Sequence, residues 1–199
     1  MNFKTLSLAT AIATISVSSQ AEQKFYVGVE AFTGSGSLEQ EIETTSGLTA
    51  SGDIDTDQTG QTLVFGLLGQ NNIRTNFKYT SVDAETENDF EIELTGLDVD
   101  WNFGFAQSEK VLPYAMAGFG YYTWKDSAEA FQLADDDDLN GIALNLGIGA
   151  AFKVHEAIEL DASYRYKGIF WQQMEDSQGT TLDVTSTSYD LTLGARFLF

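Results

Sequence analysis

The sequence predicts an all-β protein, an eight-stranded antiparallel up-and-down transmembrane β-barrel. Three observations predict it. Eight segments alternate in hydrophobicity with a period of two, their connections alternate between short and long, and ionisable residues keep to one face of the alternating segments. The 199 residues suit one domain after a leader.

The amino terminus reads as a leader. Met1-Asn2-Phe3-Lys4 is a short positive start, Thr5 to Val17 is uncharged and largely apolar, and Ser19-Gln20-Ala21 gives small residues where a signal peptidase cuts. The apolar run is shorter than the ~20 residues of a spanning helix. Residues 1–21 are therefore expected to be a cleaved signal peptide, and 22–199 the barrel domain.

The strands follow in order, each named by its apolar face. The first offers Phe25, Val27, Val29 and Ala31; the second Leu63, Phe65 and Leu67; the third Ile73, Thr75, Phe77 and Tyr79. The fourth offers Leu97, Val99, Trp101, Phe103 and Phe105. In the fifth, Val111 to Trp124, both parities are apolar and the faces stay unassigned. The sixth runs Ile142 to Phe152 on even positions, the seventh Ile158 to Tyr166, and the eighth Tyr189 to Phe199 on odd positions. One slip stands out. Ile92 and Leu94 are even while Leu97 onward is odd, so a bulge is expected at Thr95-Gly96. The expected connections are Gly34 to Gly60, Gln70-Asn71-Asn72, Asp83 to Asp89, Gln107 to Lys110, Lys125 to Asp138, His155-Glu156 and Gly168 to Thr181. Short turns on one side and longer ones on the other are the habit of outer-membrane barrels.

Charge assigns the faces. The faces opposite the apolar ones carry seven bases (Lys24, Arg74, Lys78, Lys153, Arg165, Lys167, Arg196) and six acids (Glu30, Asp98, Asp100, Glu159, Asp161, Asp190). An Arg or Lys on the lipid face near the midplane costs ~2–4 kcal/mol, whereas inside a narrow barrel it finds a partner. The polar face is therefore expected to line a lumen filled by ion pairs, with Glu30, Arg74, Lys78, Asp98, Asp100, Glu159, Asp161, Arg165, Lys167, Asp190 and Arg196 as the network. Counting from the turns pairs Arg165 with Asp190, Arg196 with Glu159 or Asp161, and Lys78 with Asp100. Gly28, Gly104, Gly147 and Gly149 leave room for them in a bore just wide enough for side chains. A soluble lipocalin-type barrel is the rival, and it leaves the leader and the loop asymmetry unexplained.

The final segment Tyr189-Asp190-Leu191-Thr192-Leu193-Gly194-Ala195-Arg196-Phe197-Leu198-Phe199 resembles the C-terminal strand by which outer-membrane barrels are recognised by their assembly machinery. Pro113-Tyr114-Ala115-Met116-Ala117-Gly118-Phe119-Gly120-Tyr121 is similar to a strand of small porin-like, OmpA-type barrels. The resemblance covers Glu22 to Phe199. It implies a Gram-negative outer-membrane protein, probed by the machinery at Phe199 and surrounded by lipid and lipopolysaccharide. No peptidoglycan-binding domain follows, so no cell-wall tether is expected. The family's members serve in surface contact, membrane integrity and small permeation, and fold alone does not choose among these.

Inventory excludes much chemistry. There is no Cys, one His and one Pro, so thiolate metal sites, disulfides and a Ser-His-Asp triad have no material. A net charge of −20 opposes nucleic-acid binding, while 43% hydrophobic residues are too many for a disordered acidic chain. His155 falls in an expected periplasmic turn, at the wrong end for a lipid-modifying enzyme.

The outer connections hold 21 acids, among them Asp53-x-Asp55-x-Asp57 and the run Asp135, Asp136, Asp137 and Asp138. An EF-hand is out, since Gln58 and Val64 stand where its Gly and Glu belong. Two readings remain for these acids. One is a solvated repulsive surface. The other is low-affinity calcium or magnesium binding that bridges the acids to lipopolysaccharide phosphates. Trp124, Phe170, Trp171 and Tyr121 are expected in an outer aromatic girdle, and Phe170-Trp171 could form a sugar platform. The expected protein is a monomeric structural or surface-interaction barrel without catalysis or cofactor. The alternatives are a narrow pore for small cations and a lipid-modifying enzyme.

Overall fold

Ladder hydrogen bonds join the strands into one antiparallel sheet that closes on itself. The computed structural model describes residues 24–43, 49–86, 91–105, 110–125, 138–175 and 180–199. The strands are β1 (Lys24–Glu43), β2 (Thr49–Leu68), β3 (Ile73–Thr86), β4 (Glu91–Gly104), β5 (Val111–Trp124), β6 (Leu139–His155), β7 (Ile158–Trp171), β8 (Met174–Glu175) and β9 (Thr181–Leu198). Each long strand pairs with the next, and β9 pairs with β1 to close the barrel. The two-residue β8 pairs with β9 alone, so eight long strands make the wall. The expected leader and Asp135, Asp136 and Asp137 lie outside the described residues.

Side-chain parity is constant along each long strand up to the register shift at the end of β6, and the chemistry on the two faces is not. On β4 the even residues Ile92, Leu94, Asp98, Asp100 and Asn102 are all buried inside, while Glu91, Glu93, Leu97 and Phe103 are exposed outside. The ladder runs unbroken from Glu85↔Glu91 to Ile73↔Phe103. No bulge occurs at Thr95-Gly96, and the break in the hydrophobic pattern has another cause. Below it the outside is apolar and the inside charged; above it the outside is acidic and the inside apolar. The strand keeps its register and passes from lipid into water.

The same inversion recurs around the wall. Outward Gln61, Ser81, Thr95, Thr123 and Asn140 are successive cross-strand partners. Below this row Leu63, Tyr79, Leu97, Tyr121 and Ile142 are all exposed apolar or aromatic residues. Residues 142–152 of β6 carry an unbroken outward apolar face, about 36 Å of strand, or roughly 25 Å of height at a ~45° tilt. That matches the apolar band of an outer-membrane barrel.

Three further expectations change. The connection placed at Gly34 to Gly60 is mostly strand, because β1 and β2 stay paired to Glu43↔Thr49. Strand also fills parts of the connections placed at Asp83 to Asp89 and Gly168 to Thr181. The faces of β5 resolve as Tyr114, Met116, Tyr122 and Trp124 inward, Val111, Phe119 and Tyr121 outward. Of the short turns, Asn71 and Asn72 take positive φ of 59° and 60°, a conformation Asn tolerates. The turn after β6 follows a register shift between Lys153 and His155, and there the Ala157 amide donates to His155 Nδ1 at 3.3 Å.

Candidate functional site

The lower interior is a network of ion pairs and hydrogen bonds. Its charges come from β1, β3, β4, β7 and β9, while β2, β5 and β6 add neutral groups such as Thr62, Tyr114 and Asn145. Alternation aims every second residue of each strand at the axis, and charge on that face has only other strands to meet. Glu30 on β1 is the hub. Its carboxylate lies 3.4 Å from the Lys78 ammonium, 2.7 Å from Arg165 and 3.2 Å from Arg196. Lys78 also reaches Asp100 at 2.8 Å. Arg196 spans Glu159 at 3.4 Å and Asp161 at 3.1 Å, and Arg74 forms a two-pronged contact with Glu159.

Neutral groups complete the lower network. The Tyr114 hydroxyl donates to Asp161 at 2.9 Å, and the Tyr26 hydroxyl to Asn76. Arg196 stacks its guanidinium 5.3 Å from the Tyr26 ring centroid. Higher up, Tyr122 and Asn145 each donate to Asp98 at 2.8 Å, and Asn145 also reaches Asp100. Lys167 donates to the Tyr122 hydroxyl. Glycine makes the space: a Cβ at Gly118 would collide with the Asp100 carboxylate, and one at Gly120 with Asp98.

Two of the counted pairings match contacts, Lys78 with Asp100 and Arg196 with both Glu159 and Asp161. Arg165 and Asp190 are cross-strand partners as counted, yet Arg165 crosses the lumen to Glu30, and Asp190 accepts instead from Gln58 and Ser188. Counting along adjacent strands could not find that contact, because it passes over β9. The tyrosines and asparagines also escaped it. Inward parity at Tyr26, Asn76 and Asn145 was the signal for them.

Above the network the interior is apolar. Phe32, Leu38, Val82, Ile92, Leu94, Trp124, Leu139, Ile169, Trp171 and Val184 are buried together. The Trp124 and Trp171 rings meet edge-on at 5.7 Å, and the Trp171 indole donates to Ser186 at 2.6 Å. These two tryptophans therefore sit in the interior and not in the outer girdle, where Tyr121 and Phe170 do face outward. Phe170 and Trp171 point to opposite faces and form no common platform. The apolar head holds a cavity of about 30 Å³ and the charged network one of about 20 Å³, with Lys167 lining both. Each has room for a water molecule or two.

Outside, the collar above the lipid boundary is acidic. Cross-strand partners include Glu39 with Asp53, Glu41 with Asp183, Asp57 with Glu85, Asp83 with Glu93, and Glu85 with Glu91. Lys125 approaches Glu93 at 3.9 Å, with both side chains largely exposed. Asp53, Asp55 and Asp57 share one face of β2 at two-residue spacing, ~6.6 Å apart along the strand, and are not brought together on one point. Asp138 is exposed just before the upper end of β6. Among the described residues no group of three or more His, Asp or Glu is placed to hold a metal ion.

A closed sheet with an apolar outer band, a charged bore and an aromatic C-terminus now stands beside its relatives. The profile of the outer membrane protein beta-barrel domain matches residues 6–197. The chain belongs to that family. It is therefore a protein of the bacterial outer membrane. No curated protein sequence matches it. Among solved structures it is similar to the outer membrane protein OprG from Pseudomonas aeruginosa, at 16% identity and a TM-score of 0.55 over 90% of this chain and 97% of that one. It is similar to a major outer membrane protein from Thermus thermophilus, at 13% identity and a TM-score of 0.52 over 90% and 100%. Neisserial surface protein A matches at 19% identity and a TM-score of 0.51 over 87% and 96%. At these identities the likeness is one of fold.

Proposed function

We propose that this barrel is a surface-interaction protein of the outer membrane, not a pore and not an enzyme. The observation that carries the reading is the occupied bore. Glu30 holds three cations at the axis, an apolar head caps them, and the cavities in head and network are water-sized. A solute would have to break buried ion pairs, each costing ~3–5 kcal/mol when one partner is lost. The working surface is then the acid-clad wall above the lipid boundary. In this reading residues 1–21 are removed on export, the assembly machinery recognises the strand ending at Phe199, and the protein stands as a monomer among lipopolysaccharide. The acids of the collar, Asp53, Asp55, Asp57 and Asp138 included, gather calcium or magnesium diffusely between themselves and lipopolysaccharide phosphates.

Planar-bilayer recording tests the reading. The expected trace is flat, with no unitary steps in potassium chloride. Steady cation-selective steps would establish the narrow-pore reading in its place.

A further inference from the structure

The upper part of β2 is paired on one side only. Residues 49–55 pair with β1, from Glu43↔Thr49 to Ser37↔Asp55, whereas β3 joins β2 only from Thr56↔Thr86 downward. Among the described residues nothing pairs with the other edge of this stretch. Thr49, Ala50, Ser51, Gly52 and Asp53 are exposed, and a Cβ built on Gly52 would meet no atom within 4 Å. The open edge is about 23 Å long at ~3.3 Å per residue. Such an edge presents free N–H and C=O groups in register, a template for one more strand.

The flanking side chains say which strand fits. Outward from the edge stand Ser51, Asp53 and Asp55, backed on β1 by Glu39 opposite Asp53 and Glu41 opposite Ser51. Inward stand Ala50, Gly52 and Ile54. An added strand therefore lays one face beside carboxylates and the other beside small or apolar residues. A second copy of the same edge would bring Asp53 and Asp55 against other carboxylates, a juxtaposition that opposes pairing.

We propose that the β2 edge at residues 49–55 binds, by strand addition, an extended polypeptide segment that alternates Lys or Arg with apolar residues. The inference rests on the surface role proposed above and names the class of partner.

The test uses the protein folded in zwitterionic detergent and a capped seven-residue peptide alternating Lys with Val, with empty micelles as the blank. Hydrogen exchange is expected to slow about tenfold at amides within 49–55 and not at the top of β6. Asp53→Asn with Asp55→Asn should weaken binding about tenfold, near 1.4 kcal/mol. N-methylation of the peptide along one edge should abolish binding, while methylation along the other edge leaves it intact. Binding that is indifferent to methylation on either edge would mean charge attraction alone and would overturn the proposal, as would protection confined to other strands or a dimer paired through β2. Conductance on the same preparation separates the two claims. A silent barrel with an unprotected β2 edge sinks only this inference, whereas a conducting barrel sinks the surface role itself.

Discussion

Glu30 shows how much one side chain decides. Nothing in its immediate sequence, Val29-Glu30-Ala31, marks a hub, and its three cations come from β3, β7 and β9. Replacing it with Gln leaves Lys78, Arg165 and Arg196 around a neutral amide in a buried site. Glu30→Gln is expected to cost about 3–5 kcal/mol, read as a lower urea midpoint for loss of the compact form on unboiled gels. Glu93→Gln, which loosens only the exposed pair with Lys125, should change stability by less than about 1 kcal/mol. Equal effects from the two would contradict a central role for Glu30. That Glu30 faces the bore was legible from parity. Its partners on β3 and β7 were not, because ladder counting reaches only neighbouring strands while Lys78 and Arg165 reach past them; Arg196, on the neighbouring β9, is two positions out of register with Glu30.

β4 carries the lesson at the next scale. Its apolar pattern changes phase at Thr95-Gly96, and a bulge is the ordinary explanation of such a change. The ladder is continuous, and the phase change records a change of solvent outside the wall. Leu94 is buried at 7% exposure and packs in the apolar head, whereas Glu93 points into water. Leu94→Asp should therefore destabilise by several kcal/mol, since it buries a carboxylate without a partner, while Glu93→Leu changes little; urea titration of both variants checks this. Trp124→Ala, emptying the space beside Trp171, should cost about 3–5 kcal/mol. Positions of strands within the lipid were legible because alternation there is apolar out and charged in. The upper halves of β1 and β2 read as loops, since Gly34-Ser35-Gly36-Ser37 and the Thr-, Asp- and Gly-rich run 49–60 alternate only weakly and in the opposite sense. The same inversion hid Trp124 and Trp171, which sit where girdle aromatics would be in a barrel that ended at the lipid surface.

The whole molecule is a barrel with two interiors, a charged one at lipid depth and an apolar one in water. Fold class and location followed from the lower half alone. The separation into two zones needed the register, because only pairing shows that one face is continuous through both. The acidic collar adds a cost at this scale, since five cross-strand pairs set carboxylates side by side. Raising ionic strength should therefore protect amides in residues 49–57, 83–86 and 91–93 from hydrogen exchange, because a Debye length of ~10 Å at 0.1 M shrinks to ~3 Å at 1 M. If magnesium bridges the collar to lipopolysaccharide, it should protect these strands beyond sodium at equal ionic strength only when lipopolysaccharide is present. The same gain without lipopolysaccharide would indicate a protein site for the ion.

The inversion across the lipid boundary is tested most directly by a nitroxide walk along β4, made simple by a chain without cysteine. Single Cys labels are placed from Glu91 to Phe103 in lipid nanodiscs and read by collision with oxygen and with a water-soluble nickel chelate. Labels at Leu97, Val99 and Phe103 should meet oxygen, those at Glu91 and Glu93 the chelate, and those at Ile92 and Leu94 should be immobile and reached by neither. Oxygen contact at Ile92 and Leu94, with Glu93 shielded, would place a bulge at Thr95-Gly96 and contradict the account.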